Sequence, residues 1–204
     1  TRIGLFVPGL DSLSFWQKRF DEFGVSYSDI TEYGGRTSLL FEDNDGLGLA
    51  LQVADDKIAQ QFDSWDDSNV PAEFQIICMG TVEMTVRRMD KLEKTLTELF
   101  DYVKISGDDN ERLYRPATSE FLGEILTKFK EDKREKPGRG SVHHLAINVK
   151  NDDELQYWHE RIIEKGFRST GIVDRHFFKS LYFRESNGIM FEFATADGPG
   201  LTDG

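Results

Sequence analysis

Residues 140–149 read Gly-Ser-Val-His-His-Leu-Ala-Ile-Asn-Val, and residues 187–193 read Asn-Gly-Ile-Met-Phe-Glu-Phe. They bracket a helical stretch and two further strand-like runs, so residues 140–204 read as one βαβββ module. The decisive observation is that this module recurs. At a shift of 142 positions, Ile3, Leu5 and Val7 fall on Leu145, Ile147 and Val149. Asp11 falls on Asp153, Leu13 on Leu155, Trp16 on Trp158, Phe20 on Ile162 and Gly24 on Gly166. Ser38 then falls on Ser180, Phe41 on Phe183 and Gly46 on Gly188. A register held through four elements and their turns marks two copies of one unit. A third lies between them at a shift of 63, where Val82, Met84 and Val86 fall on Leu145, Ile147 and Val149.

The expected modules are 1–70, 71–138 and 139–204. Leu13, Trp16, Phe20 and Phe23 share one face of a helix that Gly24 can end. Strands are expected near 2–7, 25–32, 36–42 and 47–53, and again over 75–86, 102–106, 111–115 and 121–127. A second helix is expected over 89–100. Residues 54–73 are polar and acidic and read as a linker, and 128–140 as a charged connector. Each module's sheet is apolar toward its helix, so its other face must be buried or must wrap a cavity. Three is an odd number for a fold built by pairing, and a fourth copy upstream of Thr1 is the expectation.

Composition excludes several classes. The net charge is −12, which disfavours nucleic acid and anionic membranes as partners. No apolar run reaches the roughly 20 residues of a membrane span, and no secretory signal is evident, so a cytoplasmic protein is expected. The single cysteine, Cys78, cannot form a disulfide within the chain and reads as a small buried hydrophobe.

Side chains alternate along a strand. In 142–149, His144, Ala146 and Asn148 share one face, and His143 shares the helix-facing side with Leu145 and Ile147. In 189–195, Met190, Glu192 and Ala194 face away from the helix. His144 and Glu192 therefore point to the same side of the sheet. A carboxylate within Ile-Met-Phe-Glu-Phe-Ala is costly to bury unless it is paired or holds a metal. Imidazole with carboxylate suits Fe(II), Mn(II) or Zn(II). The alternative is a hydrogen-bonded His144 and a Glu192 paired with Arg184.

The βαβββ repeat, His144-Leu-Ala146 on the first strand and Gly188-Ile-Met-Phe-Glu192 on the last resemble the vicinal oxygen chelate superfamily of glyoxalases, bleomycin-resistance proteins and extradiol dioxygenases. Asp174-Arg-His-Phe-Phe-Lys-Ser-Leu-Tyr-Phe-Arg-Glu185 and Gly198-Pro-Gly200 bring the last module nearest to bacterial hydroquinone-type ring-cleaving dioxygenases. The resemblance implies an α+β fold, with mixed sheets curled around a cavity and helices outside. It implies a metal-dependent extradiol-type dioxygenase acting on a small aromatic diol, catechol or hydroquinone, with O2. Fe(II) is the implied cofactor, with Zn, Mn or Ni as alternatives. His144 and Glu192 become the expected metal ligands. Tyr182, ten residues before Glu192 in Ser180-Leu-Tyr182, becomes a substrate contact. His176 is an in-chain candidate for a third ligand, a pocket residue or a proton-transfer group. His143 is expected to be structural, or else to support a ligand.

The repeat itself withholds the rest of the site. Arg2 and Thr81 stand at the positions of His144, and Ala50 and Thr127 at those of Glu192. The resemblance therefore places the missing ligand in a module upstream of Thr1, and this chain alone is expected to be inactive. A glyoxalase-like Zn(II) or Ni(II) lyase or isomerase, and a non-catalytic binding module for aromatic compounds, are the rival readings. A homo-oligomer is left open.

Overall fold

A computed structural model describes residues 1–119, 122–132, 136 and 138–198. The chain forms two compact units. One contains Thr1–Arg87 and Tyr102–Ser141, and the other contains Arg88–Asp101 and the residues from Val142 onward. The units do not follow the repeat boundaries. The first two copies share a sheet, whereas the middle copy's helix belongs with the last copy.

In the first unit, β1 (Arg2–Val7), α1 (Leu10–Phe23), β2 (Thr31–Tyr33), β3 (Arg36–Glu42) and β4 (Gly48–Val53) form one copy. β5 (Cys78–Val86), β6 (Tyr102–Gly107), β7 (Glu111–Pro116) and β8 (Ile125–Phe129) supply the strands of the next. They join in one eight-stranded mixed sheet ordered β2-β3-β4-β1-β5-β8-β7-β6. β1 pairs parallel with β4 and antiparallel with β5. The seam between copies is tight, because a Cβ on Gly4 would lie 2.0 Å from Gln52 Oε1 and 2.7 Å from the Thr81 backbone.

Buried polar groups lock that seam. Gln52 Oε1 accepts from the Thr81 amide at 2.9 Å. Glu124, 2% exposed, accepts from Arg36 Nε at 3.1 Å, from Arg115 Nη2 at 2.5 Å and from Thr81 Oγ1 at 3.0 Å. A buried charge this well partnered is tolerated, and removing one partner is costly.

Helix α1 packs Leu13 and Phe20 onto Val7, Leu39 and Leu51. Phe23 leaves the expected apolar face and is 69% exposed, with Arg19 over its ring. It is the last residue of the helix, next to the left-handed Gly24 cap. The stretch 54–73 is not a loose linker either. Its short helix α2 (Asp56–Ala59) buries Ile58 against Phe6 and Ala54. The Gln75 side chain then clamps the main chain of Trp65 and the Val70 carbonyl. The expected strand 25–32 contracts to β2 and a single bridge, Tyr27 to Phe41.

The second unit begins with α3 (Met89–Lys94), which runs on as a π-helical turn over Thr95–Leu99. It continues with β9 (Leu145–Val149), α4 (Asp152–Glu164), β10 (Val173–Asp174), β11 (Lys179–Arg184) and β12 (Met190–Thr195). The sheet order is β10-β11-β12-β9, with β12 and β9 parallel. Asn151 caps α4 by accepting from the Glu154 amide at 3.0 Å. One sheet face is aromatic. Phe183, Phe191 and Phe193 meet Phe100 edge-on at 5.8, 4.9 and 5.7 Å, and Trp158 stacks on Phe193 at 4.8 Å. The α3 segment is tied to this unit by Arg161 with Asp101 and by Asn187 with the Arg88 backbone. Among the described residues, no helix is long and apolar enough to cross a membrane.

Candidate metal and substrate site

The opposite face of the four-stranded sheet carries the chemistry. Glu192 lies mid-strand on β12, opposite Tyr182 of β11 and Ala146 of β9. Its neighbours Phe191 and Phe193 point to the aromatic core, which forces the carboxylate to the other side. There His144 Nε2 lies 2.8 Å from Glu192 Oε2, and the Tyr182 hydroxyl donates to Glu192 Oε1. Glu192 is only 4% exposed, whereas His144 is half-buried. Burial, then the hydrogen bond to Glu192, pushes the Tyr182 phenol above its ordinary range. The Arg175 guanidinium lies 5.7 Å over the same ring.

A cavity of about 360 Å³ opens beside this group. Ala146, Glu192 and Ala194 form part of its lining, with Phe177 and Phe178. Gly198 closes against this loop so tightly that a Cβ would sit 2.2 Å from the Phe177 carbonyl oxygen. Small side chains and two phenyl rings leave room for a planar apolar ligand next to a carboxylate.

The structure thus brings His144, Glu192 and Tyr182 together. His176 is exposed, with φ +74° and its amide donating to Asp174 Oδ1 at 2.7 Å. Its ring meets Phe177 edge-on within its own loop. Arg184 does not pair with Glu192, as its guanidinium donates to the Gly188 carbonyl at 2.8 Å. The expected facing of His143 changes too. The strand begins only at Leu145, so strand parity does not reach back to His143. That ring is exposed, and its Nδ1 lies 2.9 Å from Nδ1 of His144. The glycines at 138 and 140, just upstream, are the sequence signal that regular strand had not yet begun. The cation over Tyr182 left no such signal, since Arg175 sits in an irregular loop.

In the other two copies the same positions serve as core and bracing. In the first, the pair facing each other as Tyr182 and Glu192 do is Leu40 and Ala50. In the middle copy, β8 pairs Leu126 with Glu83, which corresponds to Ala146, so Leu126 and not Thr127 stands at the position of Glu192. Leu113 faces Leu126. Leu40, Ala50, Leu113 and Leu126 pack together with Tyr33 into one apolar cluster. At the positions of His144, Arg2 donates to the Phe41 and Leu49 carbonyls and Thr81 binds Gln52 and Glu124. Among the described residues, no group of three or more His, Cys, Asp or Glu side chains is placed to hold a metal.

The family model for the glyoxalase/bleomycin resistance protein/dioxygenase superfamily matches residues 76–193. MhqA of Bacillus subtilis (strain 168), provisionally described as a ring-cleaving dioxygenase, is 39% identical over 98% of this chain and 64% of its own. The chlorohydroquinone/hydroquinone 1,2-dioxygenase of Sphingobium indicum is 26% identical, over 92% of this chain and 59% of its own. A crystal structure from Bacillus subtilis subsp. subtilis str. 168, provisionally described as a dioxygenase, superposes with a TM-score of 0.84 at 27% identity. It covers 98% of this chain and 62% of that one. The chain spans less than two thirds of the length of each of these relatives.

Proposed function

Because the chain belongs to the glyoxalase/bleomycin resistance protein/dioxygenase superfamily, we propose that it is the ligand-bearing part of a metal-dependent extradiol-type dioxygenase acting on a catechol or hydroquinone. The observation that carries the reading is the buried Glu192 carboxylate with His144 Nε2 at 2.8 Å, beside a cavity walled by alanine and phenylalanine. The donor set fits a divalent metal. A nearly buried carboxylate and an imidazole already converge, and a cation between them would satisfy a charge that is otherwise expensive to bury.

His144 and Glu192 would hold the ion, with Fe(II) the choice for ring cleavage and Zn, Mn or Ni the alternatives. Bound there, Fe(II) would supply coordination of the diol oxygens and an electron path from the ring to O2. The protein's own groups do the rest. Phe177 and Phe178 flank the ring and exclude water, and Ala146 and Ala194 leave space for it. Tyr182 holds a proton at its Oη, which it donates to Glu192 and can redirect to a substrate oxygen. His176 stands at the cavity loop as a proton-transfer group.

The third ligand is proposed to come from a further βαβββ module of the same polypeptide. β9 lies at the edge of its sheet, whereas its counterpart β1 is paired on its other side by β5. A module docked along β9 in that manner would bring a new first strand beside His144. On this reading the present chain alone is inactive, its partners are a small aromatic diol and O2, and its setting is cytoplasmic. The two-ligand set also favours a second reading, in which the chain retains an aromatic compound without chemistry.

The test is O2 uptake and ring opening by the iron-loaded longer polypeptide, with catechols and hydroquinones as substrates. Activity lost in Glu192→Ala supports the proposal. An iron-bound protein that leaves every diol intact overturns it.

A further inference from the structure

His143 is exposed and has no place in the core, yet its ring stands against the proposed ligand. Its Nδ1 lies 2.9 Å from Nδ1 of His144, with the rings at 88° and their centroids 5.1 Å apart. On its other side, His144 presents Nε2 to Glu192 Oε2 at 2.8 Å. Each neutral imidazole has one N–H and one acceptor nitrogen. An ionised carboxylate only accepts, so the neutral tautomer of His144 that bonds Glu192 carries its proton on Nε2. Its Nδ1 is then an acceptor, and the proton between the two Nδ1 atoms belongs to His143.

A metal ion at His144 Nε2 needs the lone pair of that nitrogen. The His144 proton must then sit on Nδ1, and the His143 Nδ1 must become the acceptor. For a pair of neutral rings, both tautomers change together. The hydrogen bond made by the second nitrogen of a ligating histidine fixes the ring's orientation and its basicity. The repeat carries the same message. The positions equivalent to His143 in the other copies are Thr1 and Gly80, and neither copy keeps the His144 and Glu192 pair.

We propose that His143 is the positioning residue for His144, holding its ring and selecting which nitrogen faces the metal. This rests on the reading of His144 as a metal ligand. His143 is exposed, so water competes for its hydrogen bond. Its loss should therefore cost about tenfold in metal affinity, the low end of the range for such partners.

The experiment uses the full chain labelled with 15N-histidine, with Zn(II) as the probe, and reads both tautomers from long-range 1H–15N correlations. Without metal, the protons are expected on His143 Nδ1 and His144 Nε2. With Zn(II), they are expected on His143 Nε2 and His144 Nδ1. In parallel, His143→Ala should bind Zn(II) about tenfold more weakly. His143→Asn should recover most of the loss, because its Oδ1 can accept where Nδ1 did. A metal-free chain with its proton on His143 Nε2, or an alanine variant that binds Zn(II) like wild type, overturns the proposal. If wild type takes up no Zn(II), the metal reading fails. The tautomers of the metal-free chain then decide the histidine pair alone, since Nε2–H on both rings refutes it.

Discussion

Tyr182 and Glu192 face each other across β11 and β12, and the same cross-strand pair is Leu40 with Ala50 in the first copy and Leu113 with Leu126 in the middle one. One backbone arrangement thus serves a polar site in one place and an apolar core in two others. The first unit has an apolar cluster where the second has a buried carboxylate.

Glu192→Gln keeps the shape of the side chain and removes its charge. Zn(II) affinity of the chain should fall by about 100-fold or more, since losing a ligand exceeds the 10–100-fold cost of losing a supporting group. Circular dichroism should show the fold intact. Isothermal titration calorimetry reads the affinity.

Tyr182→Phe removes a donor from an almost fully buried acceptor. The second unit should lose about 1–2 kcal/mol in chemical denaturation. Zn(II) binding should persist, because His144 and Glu192 remain.

Phe100→Ala opens a hole in the aromatic face behind Glu192. Phe100 is 6% exposed and touches Phe183, Phe191, Phe193 and Trp158. The expected cost is about 3–5 kcal/mol. Unfolding followed by Trp158 fluorescence, with Trp16 and Trp65 replaced by Phe, assigns the loss to the second unit.

Glu124 gives the first unit a defined pH response. Burial pushes its pKa up, but the hydrogen bonds from Arg36 and Arg115 outweigh this and hold it below the usual carboxylate range. A depressed folded-state pKa means that the unfolded chain binds the proton more readily. The stabilisation is therefore complete above the unfolded-state pKa and disappears as pH falls through the folded one. Urea midpoints measured downward from pH 6 should fall less steeply in Glu124→Gln than in wild type. Glu124→Ala, which takes the shared carboxylate from Arg115 and leaves Arg36 only its contact with Asp55, should cost about 3–5 kcal/mol at neutral pH.

The repeat made much of this legible. The pairings Ile3–Leu49 and Leu145–Phe191 follow one offset, and parity along β12 alone put Glu192 opposite the phenylalanines. Other features needed three dimensions. Parity misplaced His143, whose ring is exposed ahead of the strand that begins at Leu145, although it placed the adjacent His144 on the side of Glu192. The polar stretch 54–73 concealed a folded connection anchored by one buried isoleucine and one clamping glutamine. Leu126 emerged as the counterpart of Glu192 only from strand register, because the gap before β8 differs in length between copies. The transfer of α3 to the second unit is invisible to a repeat, which records resemblance and not partnership.

The central claim is that this chain binds a divalent metal through His144 and Glu192 and nowhere else in its repeats. Anaerobic Fe(II) titration of wild type, His144→Ala, Glu192→Gln and Glu83→Gln tests it most directly. The account predicts one saturable site in wild type, its loss in both ligand variants, and unchanged binding in Glu83→Gln. Equal binding in all four proteins would contradict it.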